Sequence, residues 1–317
     1  MHKKAHAMNH TTRTNRRHRL DQQRHTIAVC VAVTTLTATL NGWTPTSSAA
    51  WTIAIIAIAV GLPHGALDIV IGPQLTKPTL FFAIYLTAAL GIILVWLAAP
   101  AIGVAALFTS SWYHFARGDA DHHRDLHRAR GLLGISTAGC AIGLPLALHA
   151  TIVTPVLSNL MLGTASPTNN QVTLIGSIIA APSLAAGLIA ALAALRIRRY
   201  TAIIEIATIA LIAATLHPLI SFALYFALWH APRHLLTLDI NRQHWRQAGW
   251  TTIATLLTTA SLWQLIQPAA PTTARVVFIG LAALTGPHLA LTELLRSRPT
   301  PPINLNPTRT THPRVKP

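Results

Sequence analysis

Residues 79–99 read TLFFAIYLTAALGIILVWLAA, a run with no charged side chain. Coiled as an α-helix, such a run spans about 30 Å, the hydrocarbon thickness of a bilayer, and closes its own backbone hydrogen bonds. Comparable apolar runs lie at about 26–41, 49–71, 100–117, 131–153, 172–195, 201–217, 218–238, 248–266 and 274–295. The chain has 317 residues, 52% hydrophobic and 10% charged, against roughly 25% charged residues in a soluble domain. These features predict an all-α fold, a polytopic integral membrane helical bundle of about 8–10 transmembrane helices over residues 26–298, with no room for a large soluble domain. No internal repeat is evident, which argues against a transporter built from duplicated halves.

The flanks differ. Residues 1–25 are polar, rich in His and Arg and without apolar period, and predict a disordered basic arm against anionic lipid. Residues 299–317 are rich in proline and basic, and predict a disordered tail. The first apolar run, TIAVCVAVTTLTATL, is short, and SSAA at 47–50 is a weak cleavage-like site; the run is read as a span rather than a removed signal. Cys30 and Cys140 sit in apolar runs without partner spacing and are expected to be small core residues, neither a disulfide nor a thiolate site.

A net charge of +16 would suggest nucleic acid for a soluble protein. Here position explains it. With the N-terminus in the cytoplasm, the inner connections carry Lys77, the stretch 117–131, RIRR at 196–199, Arg233 to Arg246, Arg296 and Arg298. The outer connections, the uncharged 154–171 among them, hold neither Lys nor Arg apart from Arg275 at a helix start. This is the positive-inside distribution of a multi-pass plasma-membrane protein with both termini cytoplasmic, and it requires no nucleic-acid partner.

WHAPRH, Trp229 to His234, places two histidines, an arginine and a proline in one of the most apolar runs. On the topology above, His64 in GLPHGALD, His114 in SWYHFARGD, and His230 and His234 all reach the same depth near the inner leaflet. His149 and His217 come out toward the opposite face, where they read as hydrogen-bond partners of neighbouring helices. Four neutral imidazoles from three rigid segments at one level form the donor set of a transition-metal site in a cavity closed to bulk water. His230 and His234, four apart, share a helix face. Pro232 removes a backbone donor between them, and Pro63 and Gly65 mark a bend around His64.

Candidates for supporting roles surround this set. Asp68, four residues after His64, is placed either to hydrogen-bond a ligating imidazole and fix its tautomer or to bond a neighbouring helix. Asp119 either supports an imidazole in the same way or pairs with Arg117 or Arg233. His288 in GPHLALTE, on the inner half of the last helix, and Glu293 are further supporting candidates, Glu293 alternatively being a helix-end charge. Glu205, close behind RIRR, is expected to pair with those arginines, and HHRDLH at 122–127 to be a solvated basic loop. The aromatics Trp112, Tyr113 and Phe115, and Phe222, Tyr225, Phe226 and Trp229, either wall a site for a flat conjugated substrate or form an interfacial belt.

The combination GLPHGALD, SWYHFARGD, ALYFALWHAPRHLL and GPHLALTE, in that order, resembles the Brp/Blh family of bacterial and archaeal membrane proteins, the beta-carotene 15,15'-dioxygenases that make retinal for rhodopsins. The similarity runs from about residue 50 to 295. It implies an Fe(2+) enzyme that cleaves the central double bond of beta-carotene with O2 into two all-trans-retinal, with membrane lipid as its surroundings and a retinal-binding rhodopsin as candidate recipient. Motif matching carries the family's iron ligands onto His64, His114, His230 and His234. The basic arm and the tail have no counterpart in the family pattern, and Met8 is an alternative start. A His-only set separates this arrangement from the two-His-one-carboxylate oxygenases. Substrate arriving from lipid implies a lateral opening near the inner leaflet, bordered by the helices of Pro63 and Pro232. Two rivals stand beside this reading: a di-metal membrane desaturase or hydroxylase, of whose histidine boxes only HxxxH at 230–234 is convincing, and a non-enzymatic haem-binding or ion-transporting bundle.

Overall fold

The protein is described by a computed structural model over residues 2–237, 242–266 and 270–297. Among the described residues fourteen α-helices follow one another: α1 His2–Leu40, α2 Ser47–Gly61, α3 Pro63–Ala66, α4 Asp68–Ile71, α5 Pro78–Ala98, α6 Pro100–His122, α7 Ala129–Leu148, α8 Ala150–Leu160, α9 Asn169–Arg196, α10 Tyr200–Thr215, α11 Pro218–Leu224, α12 Ala231–Thr237, α13 Arg242–Ile266 and α14 Ala270–Ser297. A π-helical turn, Tyr225–His230, joins α11 to α12. The fold is thus a helical membrane bundle among the described residues. Five of the described segments, Ser48–Gln74, Pro78–Ala98, Ala129–Leu148, Asn169–Arg196 and Arg275–Ser297, are long and apolar enough to cross a membrane. The other expected crossings coincide with helices that are shorter or more polar.

Local chemistry sets the helix starts. Pro78, Pro100 and Pro218 open α5, α6 and α11, where a missing amide hydrogen costs nothing. Thr46 caps α2 through the Ala49 amide, and Thr168 with Gln171 forms a capping box on α9.

Inside and outside are cleanly divided. On α5, Leu80, Ile84, Leu90 and Leu94 are exposed, the dress of a helix facing lipid. α7 is the opposite, buried for 72% of its apolar window. Its small residues let α9 approach at backbone distance: a Cβ on Gly176 of α9 would come within 2.2 Å of the Ala147 amide, and one on Gly143 of α7 within 2.8 Å of the Ala180 amide. Close packing through small residues is how helices associate where no water drives them together.

Three expectations are corrected. The arm over residues 1–25, expected as disordered, is helical from His2 and continuous with the first apolar run. Contacts distant in sequence fasten its end, which no local pattern reveals: His122 Nε2 lies 3.2 Å from Asp21, and Arg24 donates to the Leu228 carbonyl at 2.8 Å. The run 131–153 and the outer connection 154–171 also divide differently, because the chain breaks at His149 and α8 continues to Leu160. Cys140 is buried as expected, whereas Cys30 is exposed on α1, and both are free. The tail at 299–317 lies outside the described residues.

Candidate metal centre

Irregular backbone delivers the histidines. Between α2 and α4 the proline at 63 has no amide hydrogen, the Gly65 and Ala66 amides donate to the Leu62 carbonyl, and His64 Nδ1–H donates to the Gly61 carbonyl. That bond fixes the tautomer and leaves the lone pair on Nε2. The π turn ends on His230, with the Ala231 amide donating five residues back to Phe226. Such turns in a membrane helix persist where freed backbone groups find partners. Pro232 offers no hydrogen to the Leu228 carbonyl four residues earlier, and the Arg24 guanidinium supplies it instead. The arm therefore mends the helix break that presents His230.

The histidine ligand atoms converge. Those of His64, His114 and His230 all lie within 4.8 Å of one another. Ring centroids stand 4.8 Å apart for His114 and His230, and 5.4 Å for His64 and His230. The His234 ring lies 5.6 Å from His64 and 6.0 Å from His114. The four sequence candidates thus meet in one place, drawn from α3, α6, the π turn and α12. A fifth ring joins them: His288 of α14, 5.2 Å from His64, 4.9 Å from His114 and 5.2 Å from His234.

The donor set fits a metal ion. Both ring nitrogens of His114 and the Nε2 atoms of His230 and His288 are buried without a hydrogen-bond partner among the described residues. An unsatisfied buried polar atom costs about 1–3 kcal/mol, so several clustered together call for a common acceptor of their lone pairs. Neutral imidazoles bonding an ion at about 2 Å satisfy that demand.

The supporting candidates take different places. Asp68 is buried and accepts His288 Nδ1–H at 2.9 Å and the Tyr85 hydroxyl at 3.1 Å. Among the described residues Asp119 bonds no imidazole: it accepts from Thr137 at 2.6 Å, Tyr225 at 2.9 Å and Arg233 at 2.6 Å. Of its expected alternatives, this is the pairing with Arg233. Glu293 pairs with Arg296 and lies 3.7 Å from Arg117, the contacts of a helix-end charge.

Glu205 departs from expectation. It pairs with buried Arg233 and accepts from His123 at 3.3 Å, while Arg199 of the RIRR run goes to Asp125. The 122–127 loop is correspondingly less solvated than expected, with His123 buried against Glu205. His149 Nε2–H donates to the Ala214 carbonyl at 3.0 Å, the neighbouring-helix bond anticipated for it.

A cavity of about 850 Å3 is lined by His64, His114, His230 and His288 together with residues as distant in sequence as Pro45, Trp51, Tyr85 and His217. Its walls are mostly apolar, and Phe115, Phe222 and Phe226 form part of them. The aromatic candidates therefore separate: these three wall the cavity, Trp112 and Tyr113 are exposed, and Tyr225 and Trp229 are buried in the core. Sequence reasoning missed the ring contact of His288 and the joining of Arg233 to Glu205. The depth of GPHLALTE could have signalled the first; the second joins helices far apart in sequence and left no pattern.

Comparison with known proteins now bears on these features. The family model described as Beta-carotene 15,15'-dioxygenase matches residues 55–296. A curated relative, Beta-carotene 15,15'-dioxygenase from uncultured marine bacterium 66A03, is 26% identical over 266 residues, covering 77% of this chain and 93% of the relative. No solved structure matches the chain significantly.

Proposed function

We propose, because this chain belongs to the beta-carotene 15,15'-dioxygenase family, that it cleaves the central double bond of beta-carotene with O2 into two molecules of all-trans-retinal. The family makes the chain a carotenoid dioxygenase of the membrane; the iron, the ligands and the route of substrate are our reading. Fe(2+) would be held by His64, His114, His230 and His234, and when bound would supply the activation of O2. The observation that carries the reading is the meeting of the His64, His114 and His230 ligand atoms within 4.8 Å of one another in the lining of one largely apolar cavity, with the His234 ring beside them.

The chain's own residues do the rest. A cavity of about 850 Å3 falls within the roughly 300–1,000 Å3 of pockets that bury most of a small ligand. The aromatic walls suit a flat polyene, which reacts where its centre lies beside the histidines. The buried, apolar setting keeps water from competing at the reacting carbons. Substrate enters from membrane lipid, and a retinal-binding rhodopsin is the recipient we propose for the product. The basic connections support a plasma-membrane orientation with both termini cytoplasmic.

The test is expression of the full chain in cells that make beta-carotene, with pigment loss and retinal followed by chromatography. Replacing any of His64, His114, His230 or His234 by Ala should reduce retinal to background, while His149→Ala should leave it near the unsubstituted level. Undiminished retinal formation by His230→Ala would overturn the assignment.

A further inference from the structure

We infer that His288 is itself a metal-binding residue, a fifth imidazole presented by buried Asp68 and the Tyr85 hydroxyl bonded to it, and not merely a neighbour of the other four. The inference rests on the metal reading above and extends it.

Three observations carry it. The first is direction: His288 donates through Nδ1 to both oxygens of Asp68 at 2.9 Å, which places the lone pair on Nε2 at the opposite edge of the ring. That Nε2 is buried and has no hydrogen-bond partner among the described residues. The second is position. The His288 ring stands 4.9 Å from His114, nearly the 4.8 Å that separates His114 from His230, and it is within 5.2 Å of both His64 and His234. It also lines the same cavity.

Charge is the third. Asp68 is 3% exposed, and among the described residues no lysine or arginine forms an ion pair with it. Its partners are the His288 ring and the Tyr85 hydroxyl, which donates at 3.1 Å. A buried carboxylate needs compensating positive charge. The open place for that charge is beyond the ring, where the histidine nitrogens converge. A carboxylate behind an imidazole whose far nitrogen meets a metal is a recurrent arrangement: the carboxylate fixes the tautomer and orientation and makes the nitrogen a better donor. Tyr85 holds the carboxylate in place from α5, so the arrangement joins α4, α5 and α14 across the bundle.

Metal binding by the purified full-length chain in detergent tests this, using Fe(2+) for affinity by chelator competition and Co(2+) as an absorption probe of coordination. His288→Ala should weaken Fe(2+) binding and change the Co(2+) spectrum, and added imidazole should restore both. Asp68→Asn keeps every ring and should weaken binding by about 10–100-fold, with little further loss when combined with His288→Ala. Wild-type affinity and an unchanged Co(2+) spectrum in His288→Ala would overturn the inference. Should that variant not fold, the same null result in Asp68→Asn would overturn it instead. A wild-type chain that takes up neither metal removes the iron reading itself; a wild-type chain that binds while both variants match it removes only His288.

Discussion

Two buried polar clusters draw on the π turn, one through Tyr225 and the other through His230, and they are finished differently. In one, Arg233 is 2% exposed and bridges Asp119 and Glu205, with Thr137, Tyr225 and His123 supplying further hydrogen bonds. Both carboxylates there are bonded from protein. In the other, His114, His230 and His288 bring nitrogens into a common space and leave them without partners among the described residues. Folding alone favours the first kind and penalises the second, since unsatisfied buried groups cost free energy that bonded ones do not. The closed cluster is scaffold. The open one fits the metal ion that we propose to occupy it.

Substitutions should break the two clusters in opposite ways. The largest stability effect belongs to the closed one. Arg233→Met leaves two buried carboxylates without their cation, an error worth about 3–5 kcal/mol, and thermal unfolding in detergent should show a large drop. Replacing all three charges together, as Arg233→Met with Asp119→Leu and Glu205→Leu, should recover much of that loss, because an apolar substitute for a buried ion network is often neutral or better. A triple variant as unstable as the single one would show that the network contributes more than internal balance. His114→Ala in the open cluster should destabilise the metal-free chain far less than Arg233→Met, since its nitrogens give up no protein hydrogen bond.

Arg24→Ala is expected to have an intermediate effect. It deprives the Leu228 carbonyl of the donor that Pro232 cannot supply, at about 1–3 kcal/mol. Because the break it mends presents His230, Fe(2+) affinity should fall along with the unfolding temperature. An unfolding temperature and affinity both equal to wild type would mean that the arm is incidental to the site.

What the sequence revealed and what it concealed follow the same division. The lipid-facing surface was legible because hydrocarbon length and hydropathy constrain it directly, as in residues 79–99. The convergence of His64, His114, His230 and His234 was legible because each is a costly polar group at one inferred depth. The closed network was not. Glu205 seemed destined for RIRR, its neighbour in sequence, but the bundle places it beside Arg233, 28 residues away. The fastening of the arm was hidden for a related reason: Arg24 answers an orphan carbonyl 204 residues distant. Depth can be read along one helix; the partner across a helix interface cannot.

The smallest effect belongs to a third kind of charge, half-exposed at the loop between α6 and α7. Asp125 pairs with Arg199, their side chains 33% and 47% exposed. Burial works to raise the carboxyl's pKa, but the hydrogen bond and charge of Arg199 prevail and hold it below the usual carboxylate range. A group whose folded pKa is depressed contributes stability above its unfolded pKa, about 3.9, and that contribution fades as the pH falls through the folded value. Solvent screening at such exposure limits it to about 0–1 kcal/mol. Asp125→Asn should therefore lower the unfolding temperature slightly at neutral pH, and the difference from wild type should shrink below about pH 4 and with added salt. A loss rivalling that of Arg233→Met, or one that persists in acid, would show that this pair belongs with the closed cluster rather than at its solvated edge.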